Sequence, residues 1–177
     1  MFIEKHNPLT DPMIQIMDHD GKMSEALRPP ELTDQVLREL YEKMVFCRMV
    51  NDRALKMQRS GRMGTFTSVE GQEAAQLGSE FALNKTDWMV PAFRELPAMG
   101  AHGVPMEKIF YYWMGTELGS VFPDGVKVLP ISIPVGSQML HAVGLSWASK
   151  LKDEKDIAIT YFGDGASSEG DFHEAMN

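Results

Sequence analysis

Apolar residues recur at three- and four-residue spacing from Asp34 to Arg59, where Val36, Leu37, Leu40, Tyr41, Met44 and Val45 form one stripe. That is the period of an amphipathic helix, with Thr33 as its N-cap and Gly61 and Gly64 to end it. A second helix is predicted over Gly71–Leu83. Its small residues Ala74, Ala75, Gly78, Ser79 and Ala82 predict a face that approaches a neighbour closely. Pro105, a favoured first helical residue, opens a third helix that runs to Met114. Gly115–Pro134 holds three prolines and three glycines and reads as a long loop, a common place for function. Ser137–Lys150 then reads as a helix with Leu140, Val143, Gly144 and Trp147 on one side. After the charged turn Lys152–Asp156, the run Ile157–Phe162 is β-branched and almost continuously apolar, the pattern of a buried strand. Helix, short turn, buried strand, glycine turn and helix is the order of a parallel α/β sheet.

The first 30 residues carry no sustained period and end in Pro29-Pro30. Within them Ile14–Met17 reads as a short strand and Asp18-His19-Asp20-Gly21 as a turn. We read residues 1–30 as an N-terminal arm draped over a neighbour; a loosely ordered tail suits the composition equally well. Residues 31–177 then form the α/β domain.

Composition narrows the function classes. Seventeen Lys+Arg against 25 Asp+Glu give the 177 residues a net charge of −8, so nucleic-acid binding, which needs a basic stripe, is not expected. The single cysteine, Cys47, excludes an intramolecular disulfide and a multi-cysteine metal site, and its apolar run predicts a buried, inert thiol. The N-terminus lacks the basic and apolar regions of a secretory signal, and no apolar run is long enough to span a bilayer. A reduced, cytoplasmic setting is the expectation. The sequence stops at Asn177, within what reads as the first turns of a helix, so we expect part of a longer protein.

Candidate chemistry concentrates at the end of the predicted strand, in Gly163-Asp164-Gly165-Ala166-Ser167-Ser168-Glu169-Gly170. Ligands of open α/β sheets bind beyond the carboxyl ends of strands, where glycines admit close approach and helix amides attract anions. A carboxylate in a bare phosphate nest repels its ligand, and a divalent cation resolves the conflict: Asp164 holds Mg²⁺, and the metal holds a diphosphate. A plain strand-to-helix turn with Asp164 as the cap accounts for the Gly-Asp-Gly tripeptide just as well.

The segment Gly163–Asn177 as a whole resembles the thiamine-diphosphate motif in the α subunits of 2-oxo acid dehydrogenase E1 components, the family of pyruvate, branched-chain 2-oxo acid and acetoin dehydrogenases. The likeness extends upstream, in family order, through Gln58–Gly64, Glu70-Gly71-Gln72-Glu73-Ala74-Ala75, Pro91-Ala92-Phe93-Arg94-Glu95 and Pro134-Val135-Gly136-Ser137-Gln138. It covers the chain from about Leu32, and the Asp-Gly arm has family counterparts too. The resemblance implies a three-layer α/β/α thiamine-diphosphate-binding fold with a parallel sheet, truncated here and with an exposed edge that is unstable alone.

By the same resemblance Phe93 and Arg94 match the Tyr-Arg pair that binds the cofactor's diphosphate. Arg94 keeps charge-assisted contacts to phosphate, whereas Phe93 lacks the hydroxyl, a loss of about 1 kcal/mol. An ion pair of Arg94 with Glu95 or Asp87 is the alternative. Val135 matches the apolar support of the bent cofactor and Ile133 the same wall. Ser132, Pro134, Ser137 and Gln138 match a potassium site of branched-chain members. Asp164 matches the magnesium ligand, with Gly165 and Ala166 offering amides to diphosphate. The family's later asparagine, which completes the metal shell, and its later histidine loop have no counterpart in this sequence, which holds about half of a family subunit and half of its cofactor site.

The implied activity is oxidative decarboxylation of a 2-oxo acid, pyruvate or a short branched one, with acyl transfer to a lipoyl-bearing E2 protein. The implied partner is an E1 β subunit in an α2β2 heterotetramer, which supplies the activating glutamate, so no residue of this chain is assigned as acid or base. Two competing readings are a cofactor-free assembly module and a thiamine enzyme of transketolase type. His102, at a predicted helix end, is expected to make only dipole and capping contacts. His141 and His173 are expected to be surface or packing residues, and the tryptophans Trp88, Trp113 and Trp147 are expected to pack.

Overall fold

The structure is a computed structural model that describes residues 7, 9–11, 15–24 and 31–177. It divides into two compact units, Met1–Glu39 and Leu40–Asn177. In the first unit the Asp-Gly turn forms as predicted: Met17 and Met23 bridge antiparallel, and Asp18 Oδ1 accepts the amides of Asp20 and Lys22. Gly21 takes the positive φ (79°) that the turn requires. The remainder of the predicted strand, Ile14, and Pro29-Pro30 lie outside the described residues.

Helix α1 spans Asp34–Arg59, the range predicted, with the Val36 amide on Thr33 Oγ1 at 3.3 Å. Helix α2 is Glu73–Phe81, and its packing corrects the sequence reading. The small residues Ala74, Ala75, Gly78 and Ala82 are exposed, while Glu73, Gln76, Leu77 and Glu80 face inward. Each buried polar side chain makes a contact, although the Gln76 carboxamide oxygen stays unpartnered: Arg48 donates to Glu73 at 2.6 Å, Lys85 to Glu80 at 3.2 Å, and Gln76 to the Arg94 carbonyl at 3.0 Å. Paired groups tolerate burial, so this polar face wins the interior.

One element went unread in the sequence, and of another only the end at His102 was predicted. Strand β1, Trp88–Val90, is too short to show a period, and α3, Leu96–His102, carries Pro97 and Gly100 within seven residues. Helix α4 is Met106–Trp113, one residue after the predicted start, with Pro105 as its N-cap rather than its first helical residue. In the predicted loop, Glu117–Ser120 forms a 3₁₀ turn, and Val128 bridges Met89 in parallel. Helix α5 is Ser137–Leu151. Strand β2, Ala158–Thr160, pairs parallel with β1 in the register Trp88↔Ala158, Met89↔Ile159 and Val90↔Thr160. The predicted six-residue buried strand is thus shortened to the part that β1 pairs. It is only half-buried, with Ile157 and Phe162 exposed at its ends.

The parallel α/β order is present: α5 packs on both strands and α6, Gly170–Met176, packs on α5. The core gathers Cys47 and Ala54 of α1, Met89, Leu96 and Met99, and Ile109 and Trp113 of α4. Cys47 is buried as expected, and desolvation pushes its thiol up to about 11. Trp113 packs, but Trp147 is 64% exposed, against the expectation for it. Among the described residues no helix is long and apolar enough to cross a membrane.

Candidate functional site

Both strands end at one cavity of about 530 Å³. Beyond β1 the chain turns through Ala92, Phe93, Arg94 and Glu95; beyond β2 it passes through Phe162, Gly163 and Gly165 to Ala166; Val135 and Gln138 come from the start of α5. Parallel strands aim their carboxyl ends the same way, which is why segments 70 residues apart in sequence share one wall. Of the residues singled out in the sequence, Phe93, Arg94, Val135, Gln138, Gly165 and Ala166 line this cavity. Ile133, Ser132, Pro134, Ser137 and Asp164 are not among its lining, although Asp164 lies between two residues that are.

Arg94 is neither of the ion pairs weighed for it. Its Nη1 donates to the Ser68 carbonyl at 2.7 Å, and its guanidinium sits 5.6 Å from the Phe93 ring centroid. Glu95 accepts the Arg94 backbone amide at 3.0 Å, and Asp87 is occupied with the amides of Asn84 and Ile157.

After β2 the chain forms a 3₁₀ turn, Asp164–Ser168, rather than entering an α-helix directly. The Asp164 carboxylate is exposed, its carbonyl accepts Ser167 Oγ at 2.6 Å, and the Ala166 amide donates to the Gly163 carbonyl at 3.0 Å. A Cβ built on Gly163 or Gly165 would meet nothing within 4 Å, so the space over this turn is open to a ligand.

Sequence reasoning assigned no site role to Gln76, Glu95 or Tyr161, which with Gln72 and Ala75 complete the lining. Glu95 is buried, and desolvation raises its carboxyl above the ordinary range despite the amide it accepts. Tyr161 shares a 2.9 Å hydrogen bond with Ser79, and burial raises its phenol as well. The carboxamide oxygens of Gln76 and Gln138 are buried without a partner. Gln76 follows the quoted Glu70–Ala75 block by one position, the signal that was available.

Near the start of α5, Ser132 Oγ lies 2.8 Å from Ser137 Oγ, which donates to the Pro134 carbonyl at 2.9 Å. Gln138 Nε2 donates to the Tyr161 carbonyl at 2.8 Å. His102 is fully buried rather than held by capping alone, with Nε2 3.0 Å from the Asp87 carbonyl and Nδ1 3.4 Å from Glu80. His141 and His173 are on the surface.

A family model described as the dehydrogenase E1 component matches residues 41–177. The chain belongs to the dehydrogenase E1 component family. It is 41% identical over 165 residues to the pyruvate dehydrogenase E1 component subunit alpha of Staphylococcus aureus strain Mu50, covering 93% of this chain and 45% of that one. The corresponding subunit of strain MRSA252 is 40% identical, and that of Staphylococcus epidermidis 39% identical, over the same shares. The chain thus spans about half the length of these relatives. The cavity lies wholly within the stretch that the E1 family model covers.

Proposed function

We propose that this E1-family chain contributes the diphosphate-binding half of a thiamine-diphosphate site in the α subunit of a 2-oxo acid dehydrogenase. The observation that carries the reading is the convergence of Arg94 and the Gly163–Ala166 turn on one cavity at the carboxyl ends of two parallel strands. An arginine with free donors and an open glycine turn fit a diphosphate in charge and in shape.

The residues fit a metal in part. Asp164 is an exposed hard-oxygen ligand, and among the described residues no group of three or more His, Cys, Asp or Glu surrounds it. Mg²⁺ is commonly held by one or two carboxylates with phosphate and water completing the shell, so one ligand from this chain is consistent. Ser132, Pro134 and Ser137 bring neutral oxygens together in one turn, a donor set suited to K⁺, with Gln138 next in sequence and its amide on the Tyr161 carbonyl. Val135 offers an apolar prop on the cavity wall, and Ile133 stands beside it in sequence.

Bound thiamine diphosphate supplies the electron sink for decarboxylation of a 2-oxo acid. This chain's part is to anchor: Arg94 neutralises and orients the phosphates, Gly165 and Ala166 admit them, Asp164 takes the metal, and the buried wall excludes water. Phe93 contributes a ring and no hydrogen bond. None of these residues is assigned as the general acid or base; we place that role on an E1 β subunit in an α2β2 assembly. Acyl transfer to lipoyl-E2 in the cytoplasm, with pyruvate or a short branched 2-oxo acid as substrate, completes the reading. Its structural counterpart is that β1 and β2 belong to a larger three-layer α/β/α sheet, with residues 31–177 as its N-terminal part and residues 1–30 as an arm.

The test is calorimetric titration of thiamine diphosphate with and without Mg²⁺ into the protein assembled with a β subunit, alongside 2-oxo acid decarboxylation. Metal-dependent binding that weakens at least tenfold in Arg94→Ala and Asp164→Ala is expected. Metal-independent binding, or binding indifferent to both substitutions, overturns the reading and favours an assembly module.

A further inference from the structure

We propose that Gln76 is a positioning residue for Arg94, fixing the segment that carries the guanidinium so that it meets phosphate without a search. The inference rests on the reading of this cavity as a diphosphate site.

Arg94 is held from two sides. From α2, the buried Gln76 reaches across to donate Nε2 to the Arg94 carbonyl at 3.0 Å, with a second contact to Gln72 Oε1 at 3.3 Å. From the opposite side, the guanidinium docks on the Ser68 carbonyl at 2.7 Å. That loop is itself pinned to α1, because the fully buried Asn51 accepts Ser68 Oγ and the Val69 amide, each at 3.0 Å. The Arg94 amide is meanwhile tied to Glu95.

Packing alone does not explain Gln76. Its Oε1 is buried and unpartnered, so an apolar side chain of equal length would fill the space without that desolvation cost. What the apolar side chain could not do is hold the Arg94 carbonyl. The Ser68 carbonyl orders the guanidinium itself, and the Gln76 bond fixes the backbone from which it projects, so that less ordering is left to be lost when an anion binds. Phe93 lacks a hydroxyl, so Arg94 carries more of the phosphate contact here and its placement matters more.

The experiment titrates inorganic pyrophosphate with Mg²⁺ by calorimetry into the complete E1 assembly carrying wild-type chain, Gln76→Met, Arg94→Ala or both. Gln76→Met is expected to weaken binding about five- to tenfold, the worth of roughly one hydrogen bond. In the Arg94→Ala background it is expected to change nothing, because no guanidinium is left to place. An equal loss in both backgrounds assigns Gln76 a merely structural role and overturns the inference, as does no loss in either. Ser68→Ala, which removes the hydroxyl's ties to Asn51 and to the Glu70 amide and keeps the carbonyl that Arg94 binds, is expected to weaken pyrophosphate two- to threefold through Arg94 and keeps the mount testable where Gln76→Met fails to fold. Loss with Arg94→Ala but none with Gln76→Met or Ser68→Ala overturns the inference alone. A wild-type assembly that ignores pyrophosphate overturns the diphosphate-site reading as well.

Discussion

The two strands are neighbours in one sheet and live in different surroundings. Around β1, Met89 is 0% exposed, and Ile109 and Trp113 of α4 close over the same core. Around β2, every strand residue is half-buried, and Trp147 on α5 is 64% exposed, with Leu140, Val143 and Leu151 also open to solvent. The two helices are about equally apolar overall, but the apolar residues of α4 gather on one face more sharply than those of α5. The partner differs as well: the 3₁₀ turn and α3 pack on α4, whereas α5 presents one side to the strands and leaves Trp147 and Leu151 in solvent. An apolar stripe states a demand for burial and leaves open what answers it.

The largest effect should come from truncation. Met89→Ala should cost about 2–5 kcal/mol in urea unfolding of this chain, since no neighbour can collapse fully into the hole. Trp147→Ala, despite removing far more surface, should stay within about 1 kcal/mol. Comparable losses at the two positions would erase the contrast.

Glycines offer a second, opposite-signed pair. A Cβ on Gly119 would lie 2.1 Å from the Tyr112 amide nitrogen and 2.8 Å from the Lys108 carbonyl, backbone atoms that cannot swing aside. Gly119→Ala should therefore destabilise by about 1–3 kcal/mol. Gly144, inside α5, has nothing within 4 Å of its would-be Cβ, and Gly144→Ala should stabilise by about 0.5–1 kcal/mol through helix propensity. A destabilising Gly144→Ala would mean that this side of α5 is covered in solution.

Two buried glutamates sharpen the same lesson electrostatically. The hydrogen bond from Arg48 holds Glu73 below the ordinary carboxylate value of 4.5. Its contribution is therefore complete above that value and fades as the pH falls through the lowered one. Desolvation raises Glu95 above 4.5; its protonated form suits the fold, so stability drains as the pH rises through the raised value and then levels off. Glu73→Gln should destabilise at neutral pH and become harmless in acid. Glu95→Gln, which keeps an oxygen for the Arg94 amide, should gain stability toward neutral pH. Matching signs in urea titrations at pH 4 and pH 7 would refute the assignment.

The smallest effect is a silence. Cys47, buried with its thiol pushed up to about 11, should resist an aromatic disulfide reagent in the native chain at mildly alkaline pH and react at once in urea. Fast native labelling would show the α1 side of the core to be open.

Much of the secondary structure was legible because long helices repeat their pattern many times. Thr33 and Arg59 bound α1, and Pro105 opens α4, with local chemistry as the cause. Strand β1 was not legible, since three residues hold no period, and of α3 only the end at His102 was, because Pro97 and Gly100 mask the rest. The cavity was half legible: the Phe93–Arg94 and Gly163–Ala166 segments announce themselves by residue type. Gln76 and Glu95 do not, because a glutamine or a glutamate in a polar stretch looks like solvated surface until the fold shows what it faces.

What the sequence by itself determined, then, is where the chain coils, where it turns and which glycine segment ends a strand, all set by backbone propensity and short-range spacing. Only the tertiary structure decided which face of α2 goes inside. There the pairing of Glu73 with Arg48, Glu80 with Lys85 and Gln76 with Arg94 outweighed the appeal of the small-residue face. Desolvation of a polar group is settled by a partner; Lys85 is near Glu80 in sequence, but the partners of Glu73 and Gln76 lie 25 and 18 residues away and are chosen by the fold.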